Sequence, residues 1–221
     1  MAPCSDWHTA MTREARAAPE FAAFALTATP LLASLPRGDG HPVLVLPGLG
    51  RSDGSTAPLR WFLGQLGYRT FGWGLGQNRG FGRHVTDGLD ELLTAKRGHG
   101  PVSVIGWSLG GLHAIDLARR RPDAVRSLIT LGSPLGAHHR PPATVPTTSI
   151  YSRSDTIVSW RTSILPAGGR HENVEVRGSH LGLGHNPAVV VVVADRLAQR
   201  SGHWQPFAAP VWASRWVRSA A

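Results

Sequence analysis

Short β-rich runs alternate with helical segments along most of the chain, and this alternation is the feature that most restricts its fold. The runs with the composition of strands are residues 43–46, 69–73, 102–107, 128–131, 148–152 and 173–177. Segments with helical periodicity, residues 55–66, 83–96 and 108–121, separate the first four of them. This spacing predicts an α/β fold with a mostly parallel central sheet of about six strands and helices on both faces.

We expect a single domain, because no polar linker, internal repeat or low-complexity tract divides the 221 residues. It would begin with a helical segment over residues 1–40. The apolar part of that segment, residues 21–35, lacks the basic flank of a signal peptide. Residues 201–221 form a tail with three of the eight tryptophans. There Val211, Trp212 and Trp216 could form an apolar helical face that packs on the domain, joins two copies or touches lipid.

The net charge of +9 raises the question of a polyanionic partner. The charges are scattered, however, and the densest run, Arg119-Arg120-Arg121, lies at the end of a predicted helix, where cations favour the helix dipole. No nucleic-acid-binding motif accompanies them, so we expect no nucleic-acid partner, while weak contact with a membrane surface stays open. The single cysteine, Cys4, excludes an internal disulfide, and no Cys/His spacing fits a metal site. We expect a cytoplasmic protein.

The pattern G-x-S-x-G occurs twice, around Ser52 in residues 50–54 and around Ser108 in residues 106–110. A nucleophile elbow requires a strand that leads directly into the first glycine and a helix that begins directly after the serine. Only the second match has this context. Before the first match, the predicted strand ends at residue 46 and Pro47 follows, so no strand leads directly into Gly50. The sequence therefore predicts Ser108 as the nucleophile.

A serine hydroxyl needs a base within hydrogen-bond reach and a third group that orients the base. In an open α/β sheet the functional loops follow the carboxyl ends of the strands. Asp155 and His180 each lie three residues beyond the end of a predicted strand. His185 shares the loop of His180, but it stands beside Asn186, the predicted N-cap of the last helix. We therefore favour Asp155 and His180, with His185 as the alternative base.

The order Ser108, Asp155, His180, together with the sequence Gly-Trp-Ser-Leu-Gly-Gly at 106–111, resembles the serine esterases and lipases of the α/β-hydrolase superfamily. The resemblance extends from about residue 41 to residue 200. Residues 43–50 are similar to the first core strand and oxyanion loop of that family, with Pro47 in place of the usual histidine. The resemblance implies that the backbone N–H groups of Leu49 and Leu109 form an oxyanion hole.

The activity that the resemblance implies is two-step acyl transfer without a cofactor or metal, on a small-molecule or lipid ester. Trp107 and Trp73 could line an acyl pocket or pack in the core. Residues 132–147 are too few and too rich in proline for a large cap, so we expect an open site. An acyltransferase or thioesterase would use the same three residues, and a non-catalytic binding protein of this fold is a further alternative.

Overall fold

The computed structural model describes residues 12, 14–98, 100–138, 143–166 and 168–220; Cys4 lies outside these ranges. The helices are α1 (Ala17–Ser34), α2 (Asp53–Leu66), α3 (Arg83–Lys96), α4 (Leu109–Arg120) and α5 (Pro187–Ala198). The strands are β1 (Pro42–Leu46), β2 (Arg69–Gly72), β3 (Val102–Trp107), β4 (Val125–Leu131), β5 (Thr147–Tyr151), β6 (His171–Val176) and β7 (Val217–Ala220). Short 3-10 turns occur at Leu135–His138, Trp160–Ser163 and Val211–Ala213.

The strands form one sheet in the order β2-β1-β3-β4-β5-β6-β7. All neighbouring pairs are parallel except β6 and β7. Alternate side chains of each central strand point to opposite faces. In β1, Val43 and Val45 pack under α1, α2 and α5, whereas Leu44 and Leu46 pack under α3 and α4. The predicted mostly parallel α/β sheet with helices on both faces is confirmed.

The largest difference between predicted and observed strands within the parallel part is at β4. This strand begins at Val125, three residues before the predicted start, and its register shifts between Val102 and Ser103 of the neighbouring strand. Arg126 and Ser127 are half-buried, and these polar residues hide the start of the strand from an apolar pattern. The boundaries of α2, α3 and α4 agree with the predicted ones to within two residues, and among the described residues α1 spans Ala17–Ser34 of the helical segment expected over residues 1–40. Helix α5 begins directly after its predicted N-cap, Asn186, whose side chain accepts a hydrogen bond from the N–H of Ala188.

The tail does not form the helical face that its tryptophan spacing suggested. Val211–Ala213 is a single 3-10 turn, and β7 then pairs with β6 as a seventh strand. The open edge of β6 provides unpaired backbone groups, which β7 satisfies. Ala213 and Val217 are buried, while Trp212 and Trp216 remain about half exposed beside α1 and α5. The tail therefore packs on its own domain.

Within the described ranges, every helix falls short of the length or the hydropathy that crossing a bilayer requires.

Candidate active site

The carboxyl ends of the parallel strands meet at one edge of the sheet, and the loops that follow β1, β3, β5 and β6 lie there. These loops carry the residues that the sequence singled out. Leu49 follows β1, Ser108 follows β3, Asp155 follows β5 and His180 follows β6.

Ser108 connects β3 directly to α4 in a strained turn. Its φ of 55° and ψ of −121° make it the one non-glycine residue with positive φ in the described chain. Glycines permit this turn: a Cβ on Gly106 would collide with the backbone of Gly110, and a Cβ on Gly110 would collide with the carbonyl oxygen of Leu46. A nucleophile elbow requires a strained turn of this kind, in which the serine hydroxyl stands above the edge of the sheet.

His180 and Asp155 form a buried hydrogen-bonded pair, with 2.6 Å between Nδ1 and Oδ2. Their side chains are only 5% and 2% exposed. The other carboxylate oxygen of Asp155 accepts hydrogen bonds from the N–H groups of Ile157 (2.9 Å) and Val158 (2.7 Å). Because the carboxylate is fixed and engages Nδ1, the imidazole can present Nε2 to a reacting group.

Gly132, at the end of β4, leaves room for this pair. Its φ is 53°, and a Cβ there would lie 3.0 Å from Asp155 Oδ2 and 3.2 Å from His180 Nδ1. A larger residue would therefore press directly on the hydrogen bond between the two side chains.

Trp107 links the histidine loop to the elbow. Its indole N–H donates to the carbonyl oxygen of His180 at 3.1 Å, and it directly precedes Ser108 in the chain. In the described part of the chain, the Ser108 hydroxyl makes no hydrogen bond to the imidazole. In known enzymes without bound substrate, the hydrogen bond between a nucleophile and its base is frequently long and tightens only in the substrate complex.

The loop after β1 lies beside Ser108. A Cβ on Gly48 would be 3.2 Å from Ser108 Cβ, so the backbone of Gly48 and Leu49 passes next to the elbow. Among the described backbone groups outside helices and strands, none accepts from the N–H of Leu49. Leu109 is the first residue of α4, where N–H groups have no partner within the helix. In the described part of the chain, neither N–H group therefore has a backbone hydrogen-bond partner.

Asn78 holds this loop, although no motif in the sequence marks it. It is fully buried, and its Nδ2 donates to the carbonyl oxygen of Pro47 at 2.9 Å. Its backbone also exchanges hydrogen bonds with Gly50 (2.7 Å) and Arg51 (2.8 Å). Nothing in the sequence distinguishes this asparagine from an ordinary turn residue in a glycine-rich segment.

Three other residues considered in the sequence, Trp73, His185 and Ser52, lie in environments different from those of Ser108, Asp155 and His180. Trp73 is 1% exposed in the core, and its indole N–H donates to Gly76. His185 contacts the carbonyl oxygen of Ala17 through Nε2 at 3.0 Å and stands edge-on to Phe21. Ser52 has extended backbone at the start of α2, without the strained turn found at Ser108.

Three large apolar side chains are exposed on loops at this edge: Leu49 (63% exposed), Phe81 (49%) and Ile157 (51%). Leu49 follows Gly48, Ile157 follows Asp155 by two residues, and Phe81 stands edge-on to His113 of α4. These three side chains, which we call the rim, can therefore contact an apolar group. Among the described residues, no three His, Cys, Asp or Glu side chains are grouped as metal ligands would be.

Comparisons with known proteins give one short sequence match and several structural ones. No protein-family model matches the chain. The pimeloyl-(acyl-carrier protein) methyl ester esterase of Sodalis glossinidius (strain morsitans) is 42% identical over 60 residues, which make up 27% of this chain and 23% of that protein. The match thus spans about a quarter of the curated relative.

Solved structures match over much more of the chain. A hydrolase of the alpha/beta superfamily from Xanthomonas campestris pv. campestris superimposes with a TM-score of 0.57 and 22% identity, covering 73% of this chain and 98% of that one. The thioesterase domain from the curacin biosynthetic pathway gives a TM-score of 0.56 and 13% identity, covering 75% and 93%. Together with the sheet order and the elbow, these similarities show that the chain has the α/β-hydrolase fold.

Proposed function

We propose that this protein hydrolyses carboxylic esters through an acyl-enzyme on Ser108. The observation that carries the proposal is the buried hydrogen bond between His180 and Asp155, which shares an edge of the sheet with a strained serine elbow. An imidazole oriented by a carboxylate is the base that a serine nucleophile needs. The short sequence match to an esterase supports the same class of reaction.

In the proposed mechanism, Ser108 Oγ attacks the ester carbonyl carbon while His180 Nε2 takes the hydroxyl proton. The oxyanion of the tetrahedral intermediate accepts hydrogen bonds from the N–H groups of Leu49 and Leu109. When the intermediate collapses, His180 returns the proton to the leaving alkoxide, and the alcohol departs. Water then attacks the acyl-enzyme by the same route, which releases the carboxylic acid and restores Ser108. Asp155 keeps the imidazole in the required tautomer throughout.

The exposed rim of Leu49, Phe81 and Ile157 favours esters with an apolar acyl or alcohol part. Small-molecule and lipid esters both fit this description. Leu49, Phe81 and Ile157 all lie on loops. The segment between Gly132 and Thr147, where a cap would be inserted, is short, and its described part contains the 3-10 turn Leu135–His138.

The test is turnover of p-nitrophenyl esters across a series of acyl chain lengths by the wild type, Ser108→Ala and Ser52→Ala. Loss of Ser108 Oγ should abolish turnover, with kcat falling by about 10⁴-fold or more, whereas Ser52→Ala should retain it. A fluorophosphonate should label Ser108. Retained activity in Ser108→Ala, or labelling at another serine, would show the assignment to be wrong.

A thioesterase or acyltransferase is the second candidate, favoured by the structural match to a thioesterase domain. The same residues would form the same acyl-enzyme and differ only in the leaving group or in the acceptor. Comparing turnover of an ester with that of the matched thioester, and measuring the ratio of transfer to hydrolysis when an alcohol is added, separates these activities. A non-catalytic binding protein would show neither turnover nor labelling.

A further inference from the structure

Glu14, from the region that precedes α1, reaches into the loops that carry Asp155 and His180. Its side chain is buried, at 1% exposure. One carboxylate oxygen accepts from the N–H of Leu181 at 2.9 Å. The other accepts from the N–H (3.2 Å) and the hydroxyl (2.8 Å) of Thr156. Leu181 and Thr156 directly follow His180 and Asp155, so one carboxylate ties together the two loops of the pair.

Glu20 in the first turn of α1 makes a similar contact on the other side of His180. One of its oxygens accepts from the N–H of Ser179 at 2.8 Å, and the other accepts from Asn186 Nδ2 at 3.2 Å. The residues immediately before and after His180 are thus both held by glutamates.

Burying a carboxylate costs free energy of desolvation, which hydrogen bonds to the carboxylate must offset. Burial raises the pKa of the Glu14 carboxyl, but the hydrogen bonds from Leu181 and Thr156 outweigh it, so the pKa lies below its ordinary value. Glu14 is therefore ionised at neutral pH. An ionised acceptor makes stronger and shorter hydrogen bonds than a neutral one, which suits a role in fixing two loops relative to each other.

We propose that Glu14 is a positioning residue for the active site. It fixes the histidine loop against the acid loop and thereby keeps His180 Nδ1 on Asp155 and Nε2 directed at the reacting centre. The proposal rests on the proposed ester hydrolysis. Glu14 itself contacts neither the substrate nor the imidazole ring in this scheme; it acts through the backbone of the two loops.

The decisive variant is Glu14→Gln, which has nearly the same shape but carries a donor group where one of the acceptor oxygens stands. At least one of the two loops should lose a hydrogen bond to residue 14. Because small displacements of catalytic groups are costly, kcat should fall by about tenfold or more while KM stays within about twofold. Glu91→Gln, which removes an exposed glutamate from α3, is the matched control and should keep the kcat of the wild type.

A spectroscopic readout separates positioning from plain stability. The proton shared by His180 Nδ1 and Asp155 should give a low-field NMR resonance, assigned by its absence in Asp155→Asn. In Glu14→Gln that resonance should shift or broaden, and in Glu91→Gln it should not. If Glu14→Gln fails to fold, Thr156→Val removes a single hydrogen bond to Glu14, and kcat should then fall by about threefold.

The possible outcomes are distinct. A folded Glu14→Gln with the kcat and the resonance of the wild type overturns the proposal. A lower melting temperature with unchanged kcat and resonance in the folded protein also overturns it, because Glu14 would then contribute to stability alone. If the wild type neither hydrolyses esters nor reacts with a fluorophosphonate, the proposed function fails, and the resonance comparison still tests the positioning role separately.

Discussion

Asn78 holds the loop after β1 with its side chain and its backbone together, and a substitution there tests the proposed oxyanion hole without touching the nucleophile. Asn78→Ala removes the hydrogen bond to Pro47 and leaves a buried carbonyl oxygen unpaired. The backbone at Leu49 should then lose its alignment with the developing oxyanion. We expect kcat to fall by about tenfold to a hundredfold, as measured by steady-state ester hydrolysis.

Asn173→Ala provides the matched control. The Asn173 side chain also makes two hydrogen bonds to the backbone of one residue, Leu165. Leu165 lies in the connection between β5 and β6, but beyond the 3-10 turn Trp160–Ser163 that separates it from Asp155. Stability should fall in both variants, whereas kcat should fall only in Asn78→Ala. Equal kcat values in the two variants would contradict a role for Asn78 in the oxyanion loop.

The roles of some residues can be predicted from the sequence, and those of others cannot. Ser108 is predictable because a strand, a glycine-bounded turn and a helix follow one another within a few positions, and the structure has that turn. Glu14 and Asn78 are not predictable, because their partners are backbone groups of distant segments, which leave no periodic pattern and no motif. The roles proposed for Ser108, Asp155 and His180 stay predictions until a variant is assayed.

At the level of elements, α4 can begin where it does because its first turn lies directly against the end of β1. A Cβ on Gly110 would collide with Leu46 O and come within 2.8 Å of Pro47 O. Because relieving this collision requires a shift of the β1 backbone, which costs free energy, Gly110→Ala should lower the free energy of unfolding by about 2 kcal/mol or more. Urea denaturation at equilibrium measures this difference.

Gly54→Ala is the corresponding control in α2. Nothing lies within 4 Å of a Cβ at that position, and its backbone is helical. Alanine is the better helix former, so this variant should be as stable as the wild type or more stable, by up to about 1 kcal/mol. Similar destabilisation in both variants would mean that the contact with β1 is unimportant.

The elements of the parallel sheet were predictable because central strands are apolar on both faces and helices have one apolar side. The antiparallel strand β7 was not predictable from the sequence. Among the side chains of β7 whose burial is described, those of Val217 and Arg218, that of Val217 is buried in the core. The strand forms because its backbone pairs with the open edge of β6. A pattern of side chains cannot reveal an element whose cause is backbone pairing with another segment.

At the level of the whole molecule, acid should destabilise the fold through a polar network away from the candidate site. His41 is buried; its imidazole contacts Asp39 through Nδ1 and Ser103 Oγ through Nε2 at 2.9 Å. Burial lowers the pKa of His41 despite the nearby carboxylate. Burial raises the pKa of Asp39, but the hydrogen bonds with His41 and the charge of Arg126 outweigh it and lower the pKa to about 2.

Both groups bind protons less readily in the folded chain than in the unfolded one, so the unfolded state gains protons as the pH falls. Stability from His41 should decline below pH about 6.5, and stability from Asp39 should decline from pH about 4 down towards pH 2. Measuring the free energy of unfolding against pH checks this. Asp39→Asn should flatten the lower part of the curve, and an unchanged slope there would contradict it.

The contacts of Glu14 join segments that lie far apart in the sequence. Thr156 lies 142 residues and Leu181 167 residues further along the chain from Glu14. Contacts between such distant segments form late, because the entropy of closing so large a loop must be overcome first. During synthesis, residues 106–110 of the elbow leave the ribosome before the loop that carries His180. If Ser108 and His180 act together as proposed, ester hydrolysis requires that these two distant parts of the chain have already met.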